Sequence, residues 1–168
     1  LSPYGIAKLS IDKYLAFYRE LKGLQTISLR YGNVYGPRQN PHGEAGVVAI
    51  FLDKMLQGNQ PVINGTGAQT RDYVFVKDVA TANLLALESE TATGVYNIGT
   101  GKETSVNQLF QILNSFFDNQ YEEVHADGKP GEQLTSSLDT TRAQEELSWQ
   151  PTLSLKEGLR QTLEWFKK

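Results

Sequence analysis

Apolar positions at helical spacing alternate along the chain with short runs that read as strands. From Pro3 to Lys22 the spacing predicts a helix, with Ile11, Leu15 and Tyr18 on one stripe that Tyr4 and Lys8 extend toward the N-terminus. Ser2 before Pro3 suits its start and Gly23 its end. "QTISLRYGNVYGP" predicts a strand over Thr26 to Tyr31, ending in a glycine-rich turn closed by Pro37. A polar loop leads to a helix from about Val47 to Gln57, stopped by Gly58. "PVING" and "RDYVFV" read as strands around the turn "TGAQT", and Asp78 precedes the helix "VATANLLALES". "VYNI" reads as a buried strand, and "GTGKET" leads into the helix "SVNQLFQILNSFF". The last quarter carries a short strand around "EEVHAD", an extended "LTSSLD", and helices from about Thr141 and Leu155. In the tail, Leu155, Leu159, Leu163 and Phe166 share one face, which predicts an ordinary core helix. Strands alternating with helices predict α/β architecture around a mostly parallel sheet.

At 168 residues, 39% hydrophobic and 21% charged, the chain has enough apolar material for one core. A net charge of -3 argues against nucleic acid or an anionic membrane as the main partner. The absence of cysteine excludes thiolate catalysis and favours a reducing, cytoplasmic compartment. With two histidines, His42 and His125, far apart, no histidine metal cluster is expected. No stretch is apolar and long enough to span a bilayer, and no basic-then-apolar leader is expected from the residues before the first helix. That helix is already under way at Leu1, so the chain is expected to be the later part of a longer protein.

Several residues carry candidate chemistry, each beside a plainer role. Tyr4 stands four residues before Lys8, but Tyr18 and Lys22 have the same spacing, so spacing alone decides nothing. "NIGTGKETS" places Gly99 and Gly101 between strand and helix, where a phosphate could meet backbone amides. It lacks the third glycine of a dinucleotide loop, where Thr104 stands, and Glu103 replaces the hydroxyl residue of a P-loop. A tight strand-to-helix turn is therefore expected. Arg71, at a strand edge, can fork onto a phosphate or pair internally with Asp72 or a neighbour. Asn33 is either a turn residue or, at the carboxyl end of a parallel strand, a ligand contact.

Taken in order, "SPYGIAK", "LRYGNVYGPRQNPHGEAGVVAIF", "GTGAQTRDYVFVKDVATANLLAL", "VYNIGTG" and "LDTTRAQEELSWQPTLSLKEGLRQTLEWF" resemble the extended short-chain dehydrogenase/reductase family, among its NAD-dependent nucleotide-sugar epimerases and dehydratases. The match covers nearly the whole chain. It implies the C-terminal part of a Rossmann-like fold with its small substrate-binding domain, the NAD-binding half lying outside the sequence. Residues 1–35 and about 75–115 would then belong to the Rossmann side, and 36–74 and about 116–168 to the substrate side.

The resemblance implies NAD as cofactor and a UDP-hexose as substrate, epimerised at C4 through a transient 4-keto sugar. Tyr4 would be the base, with Lys8 its partner and a contact to the nicotinamide ribose. A free phenol, with a pKa of about 10, is a poor base at neutral pH, and a nearby ammonium favours phenolate. Asn33 matches a sugar-nucleotide contact and Arg71 a diphosphate contact. Val47, Val48, Val62 and Asn64 lie where the uracil and ribose pocket is built. Lys129 stands in place of a second diphosphate arginine; lysine keeps the charge and loses the fork. Thr135 occupies a place often basic in relatives. A homodimer through the Tyr4 helix is implied by analogy. Other sugars, a dehydratase, and a truncated domain that binds without turnover remain open, and the fragment alone is expected to be inactive.

Overall fold

The computed structural model describes residues 3–43, 46–128 and 131–168. The first helix, α1 (Pro3–Lys22), occupies the predicted span, but none of its 20 residues is buried. The expected apolar stripe is uncovered, with Ile11 50% and Tyr18 45% exposed. After α1 the chain runs into β1 (Ile27–Tyr31). It then passes Gly32, where a Cβ would lie 2.7 Å from the Asp72 carbonyl oxygen. That close approach lets a second strand, β2 (Asn33–Tyr35), form where the sequence predicts a turn.

α2 (Val47–Leu56) and β3 (Ile63–Asn64) fall where expected. The "RDYVFV" run does not form one strand. It splits into β4 (Thr70–Arg71) and β5 (Tyr73–Phe75), and α3 (Val76–Glu88) begins at Val76. Asp78 thus sits in the first helical turn, where a carboxylate meets the positive end of the helix. Its Oδ1 accepts from Thr152 N at 3.2 Å and Thr152 Oγ1 at 2.5 Å. β6 (Gly94–Ile98) and β7 (Thr104–Ser105) follow. α4 (Val106–Asn114) starts at a reciprocal cap: Ser105 Oγ accepts from Gln108 N at 3.1 Å, and Gln108 Oε1 from Ser105 N at 2.9 Å. β8 (His125–Ala126), α5 (Thr141–Leu147) and α6 (Leu155–Phe166) complete the order.

Among the described residues the strands pair two by two rather than in one sheet. β1 with β6, β2 with β5 and β3 with β8 are parallel, while β4 with β7 is antiparallel. Two apolar cores flank these pairs. One gathers Phe51, Leu52, Leu109, Phe110 and Leu159; the other gathers Val74, Tyr96, Ile98, Ala143 and Trp149. α6 packs as its pattern predicts, with Leu159 and Leu163 buried and Leu155 and Phe166 partly so.

Trp149 is 1% exposed, and its indole N–H donates to the Asp78 carbonyl at 2.8 Å. Trp149→Ala is expected to destabilise the fold by about 3–5 kcal/mol, read as a lowered urea midpoint.

Candidate functional site

The glycine loop after β6 is already occupied by an anion, and the anion belongs to the chain itself. The fully buried Asp72 places Oδ1 2.7 Å from both Thr100 N and Thr100 Oγ1. Its Oδ2 accepts from Gly101 N at 3.0 Å and Leu138 N at 3.2 Å. A Cβ on Gly99 would come within 2.4 Å of that oxygen, so only glycine lets the loop close over the carboxylate. The loop is the tight turn its sequence predicts. Asp72 also accepts from Asn33 N through its backbone oxygen, at 2.6 Å, which fixes the start of β2 beside β5.

Beside this hub lies a cleft of about 260 Å³, and it gathers five sequence-predicted residues: Asn33, Val47, Val62, Asn64 and Arg71. Asn33 opens β2 and is exposed; Val47 opens α2 and is half-buried. Val62 is half-buried, and Asn64 ends β3 with an exposed side chain. Arg71 Nη2 meets Glu132 Oε1 at 3.1 Å, and Nη1 donates to the carbonyls of Thr70 at 2.8 Å and Gln133 at 2.7 Å. Its ion-pair partner is thus Glu132, because the Asp72 carboxylate is spent on the glycine loop. Val48 does not join the cleft: one step along the helix turns it into the core, where it is 2% exposed. Lys129 lies outside the described residues.

Among the other residues that line this cleft, Tyr73 and Glu132 carry polar groups that were not singled out from the sequence. Tyr73 is 5% exposed and its buried Oη has no hydrogen-bond partner among the described residues. Burial pushes this phenol up to about 12, with Arg71 pulling the other way, so it is a hydroxyl donor at neutral pH. Its signal was position: two residues after Arg71 in an extended run places both side chains toward one side.

A second, wider cleft of about 640 Å³ lies between α1 and β1, lined by Tyr4, Lys8, Asp12, Ser28, Arg30 and Gly32 among others. Tyr4 is 72% exposed, and Lys8 Nζ sits 5.4 Å from its ring centroid, over the ring face rather than at the hydroxyl. Tyr18, by contrast, meets the Phe17 ring edge-on at 5.4 Å. Gly32 and Val34 line the Tyr4 cleft while Asn33 lines the Arg71 cleft, so this one segment is the partition between them.

β8, which pairs with the β3 strand carrying Asn64, carries a titrating clasp. His125 Nδ1 lies 2.7 Å from the Gly65 carbonyl and Nε2 3.1 Å from Glu123 Oε1. The Gly65 hydrogen bond first, then Glu123, raises this imidazole above its ordinary 6.5. A raised folded value means the clasp contributes fully below the unfolded value and fades as pH rises through the folded one. An NMR titration should place His125 above 6.5, and Glu123→Gln should bring it back down.

The sequence profile described as the NAD dependent epimerase/dehydratase family matches residues 1–99. The chain belongs to this family. Among curated relatives of this epimerase/dehydratase chain, the UDP-glucose 4-epimerase of Mycolicibacterium smegmatis is 43% identical over 99% of the chain and 53% of its own length. The solved UDP-glucose 4-epimerase of Thermotoga maritima, with UDP-glucose, is 50% identical with a TM-score of 0.95, covering 99% of this chain and 54% of that one. The UDP-N-acetylglucosamine 4-epimerase of Methanobrevibacter ruminantium, in complex with UDP-N-acetylmuramic acid, is 37% identical with a TM-score of 0.94, over 99% and 54%. The fold is thus the α/β, Rossmann-like one of the extended short-chain dehydrogenases, and the chain spans about half the length of the curated relatives it matches. No helix among the described residues is long and apolar enough to cross a membrane.

Proposed function

We propose that the chain is the C-terminal portion of an NAD-dependent enzyme that inverts C4 of a UDP-hexose, interconverting UDP-glucose and UDP-galactose. The observation that carries this reading is the partitioned pair of clefts. Asn33, Val47, Val62, Asn64 and Arg71 gather in one, and Tyr4 with Lys8 in the other, one residue of backbone apart. The nucleotide end would lie in the first, with uracil and ribose against Val47, Val62 and Asn64 and the diphosphate on Arg71. Lys129 would add charge near the diphosphate. The sugar would reach across Asn33 toward Tyr4. UDP is the part shared by the ligands of the two solved relatives, which supports the nucleotide half of the reading.

Tyr4 would take the proton from the sugar 4-hydroxyl and later return it. Lys8 forms no ion pair among the described residues, so its ammonium is free to hold the nicotinamide ribose beside Tyr4. These two side chains fit an NAD nicotinamide in the wide cleft. When bound, NAD supplies the acceptance and return of a hydride at C4.

Arg71 gives a direct test of the nucleotide cleft. In the full-length protein, Arg71→Ala is expected to weaken UDP binding by about 2 kcal/mol, or roughly thirtyfold, measured by titration calorimetry. Arg71→Lys should recover only part, because lysine cannot fork. Unchanged affinity in Arg71→Ala would place the diphosphate elsewhere.

A homodimer is part of the same reading. Tyr14, Phe17 and Leu21, 67%, 52% and 65% exposed, lie on the face of α1 opposite Asp12 and offer an apolar seam to a second copy. Light scattering of the full-length protein should report twice the monomer mass.

A further inference from the structure

α1 carries Tyr4 and Lys8, yet none of its residues is buried, and Leu15 and Ala16 on its sheet-facing side are only half-buried, so apolar packing holds its rotation weakly. What touches the sheet instead is a carboxylate. Asp12 stands four residues beyond Lys8 and eight beyond Tyr4, on the same face, and lines the same cleft. Its side chain is 11% exposed. Ser28 Oγ donates a short hydrogen bond to Asp12 Oδ1. Arg30 forks onto Oδ2, with Nε at 2.8 Å and Nη2 at 2.5 Å. Ser28 and Arg30 are alternate residues of β1, so both reach α1 from one side of the strand. Thr26 Oγ1 adds a contact to the Leu15 carbonyl at 3.2 Å, farther from Tyr4. Burial would push the Asp12 carboxyl up, but the Ser28 and Arg30 hydrogen bonds outweigh it and hold the group below its ordinary range. Asp12 is therefore a carboxylate at neutral pH.

We propose that Asp12 is a positioning residue: through Ser28 and Arg30 it sets the rotation of α1 on β1, and with it the placement of Tyr4 and Lys8 over the cleft. With Arg30 48% exposed, the ion pair contributes little to stability. Two oxygens held from two directions fix an angle, however, and an angle is what a base at the end of a helix needs. On a helix, a small rotation about the axis moves every side chain of that face together. This proposal rests on the reading of Tyr4 as the base.

The test is steady-state kinetics on the full-length protein with UDP-galactose. Asp12→Asn keeps the size and loses the charge, and is expected to lower kcat by about tenfold, since a displacement near 1 Å can cost up to about a hundredfold. KM should stay within about twofold, because the nucleotide cleft is untouched. Arg30→Gln should lower kcat similarly, and the double variant Asp12→Asn/Arg30→Gln should be no slower than Asp12→Asn alone. Ser28→Ala removes one tether and serves if Asp12→Asn does not fold; it should lower kcat less, with the same unchanged KM. Tyr4→Phe is the control. Turnover that survives Tyr4→Phe overturns the reading of the base. Tyr4→Phe inactive with Asp12→Asn at the parent kcat overturns the positioning role alone, as does a loss of activity that follows the folded fraction or appears in KM.

Discussion

Tyr4→Phe in the full-length protein is expected to abolish the interconversion of UDP-galactose and UDP-glucose while leaving UDP affinity nearly intact. Removing a positioned acid–base group costs about 10² to 10⁴ in rate. The two effects separate because the two clefts do. Tyr4 is 72% exposed, so losing its hydroxyl leaves no buried void and orphans no buried partner. Arg71, Val47 and Val62 line the other cleft, beyond the Gly32–Val34 partition from Tyr4. Rates from a coupled assay and affinities from calorimetry on the same preparation decide the matter. Loss of UDP binding together with activity would make Tyr4 a structural residue.

Residues 1–168 alone, given NAD and UDP-galactose, are expected to yield no UDP-glucose. The physical reason lies in the glycine loop. "NIGTG" is the place between strand and helix where backbone amides could have met a dinucleotide diphosphate. The amides of Thr100 and Gly101 are committed to the buried Asp72 carboxylate, and displacing it would leave a charge without donors. Tyr4 and Lys8 can approach a nicotinamide but offer no cradle for its diphosphate. Measurable turnover by these residues would show that NAD has another seat.

The structure brings Asn33, Val47, Val62, Asn64 and Arg71 to one cleft, because they sit at element ends that the hydrophobic pattern already marks. Val48 shows the limit. A single helical step separates a cleft residue from a core residue, and the boundary of α2 must be known to the residue to tell them apart. Other differences are tertiary in origin. β2 exists because Gly32 can pass close to Asp72, a contact across 40 positions that no local pattern records. The "RDYVFV" run is rich in strand formers, yet Val76 turns into α3, whose Asp78 is held by Thr152 from far along the chain. Periodicity predicts the span of α1, but the apolar stripe it draws there is uncovered among the described residues. Asp12 went unmarked because its partners lie on a strand, at distances in sequence that carry no motif.

Proton NMR of the full-length protein with NAD and UDP-galactose, following the hexose anomeric and H4 signals, tests the central claim most directly. UDP-glucose should grow in at the expense of UDP-galactose until the two reach a constant ratio, with no net accumulation of reduced cofactor. An unchanged sugar spectrum from folded protein, or a 4-keto-6-deoxy product in place of the epimer, would contradict it.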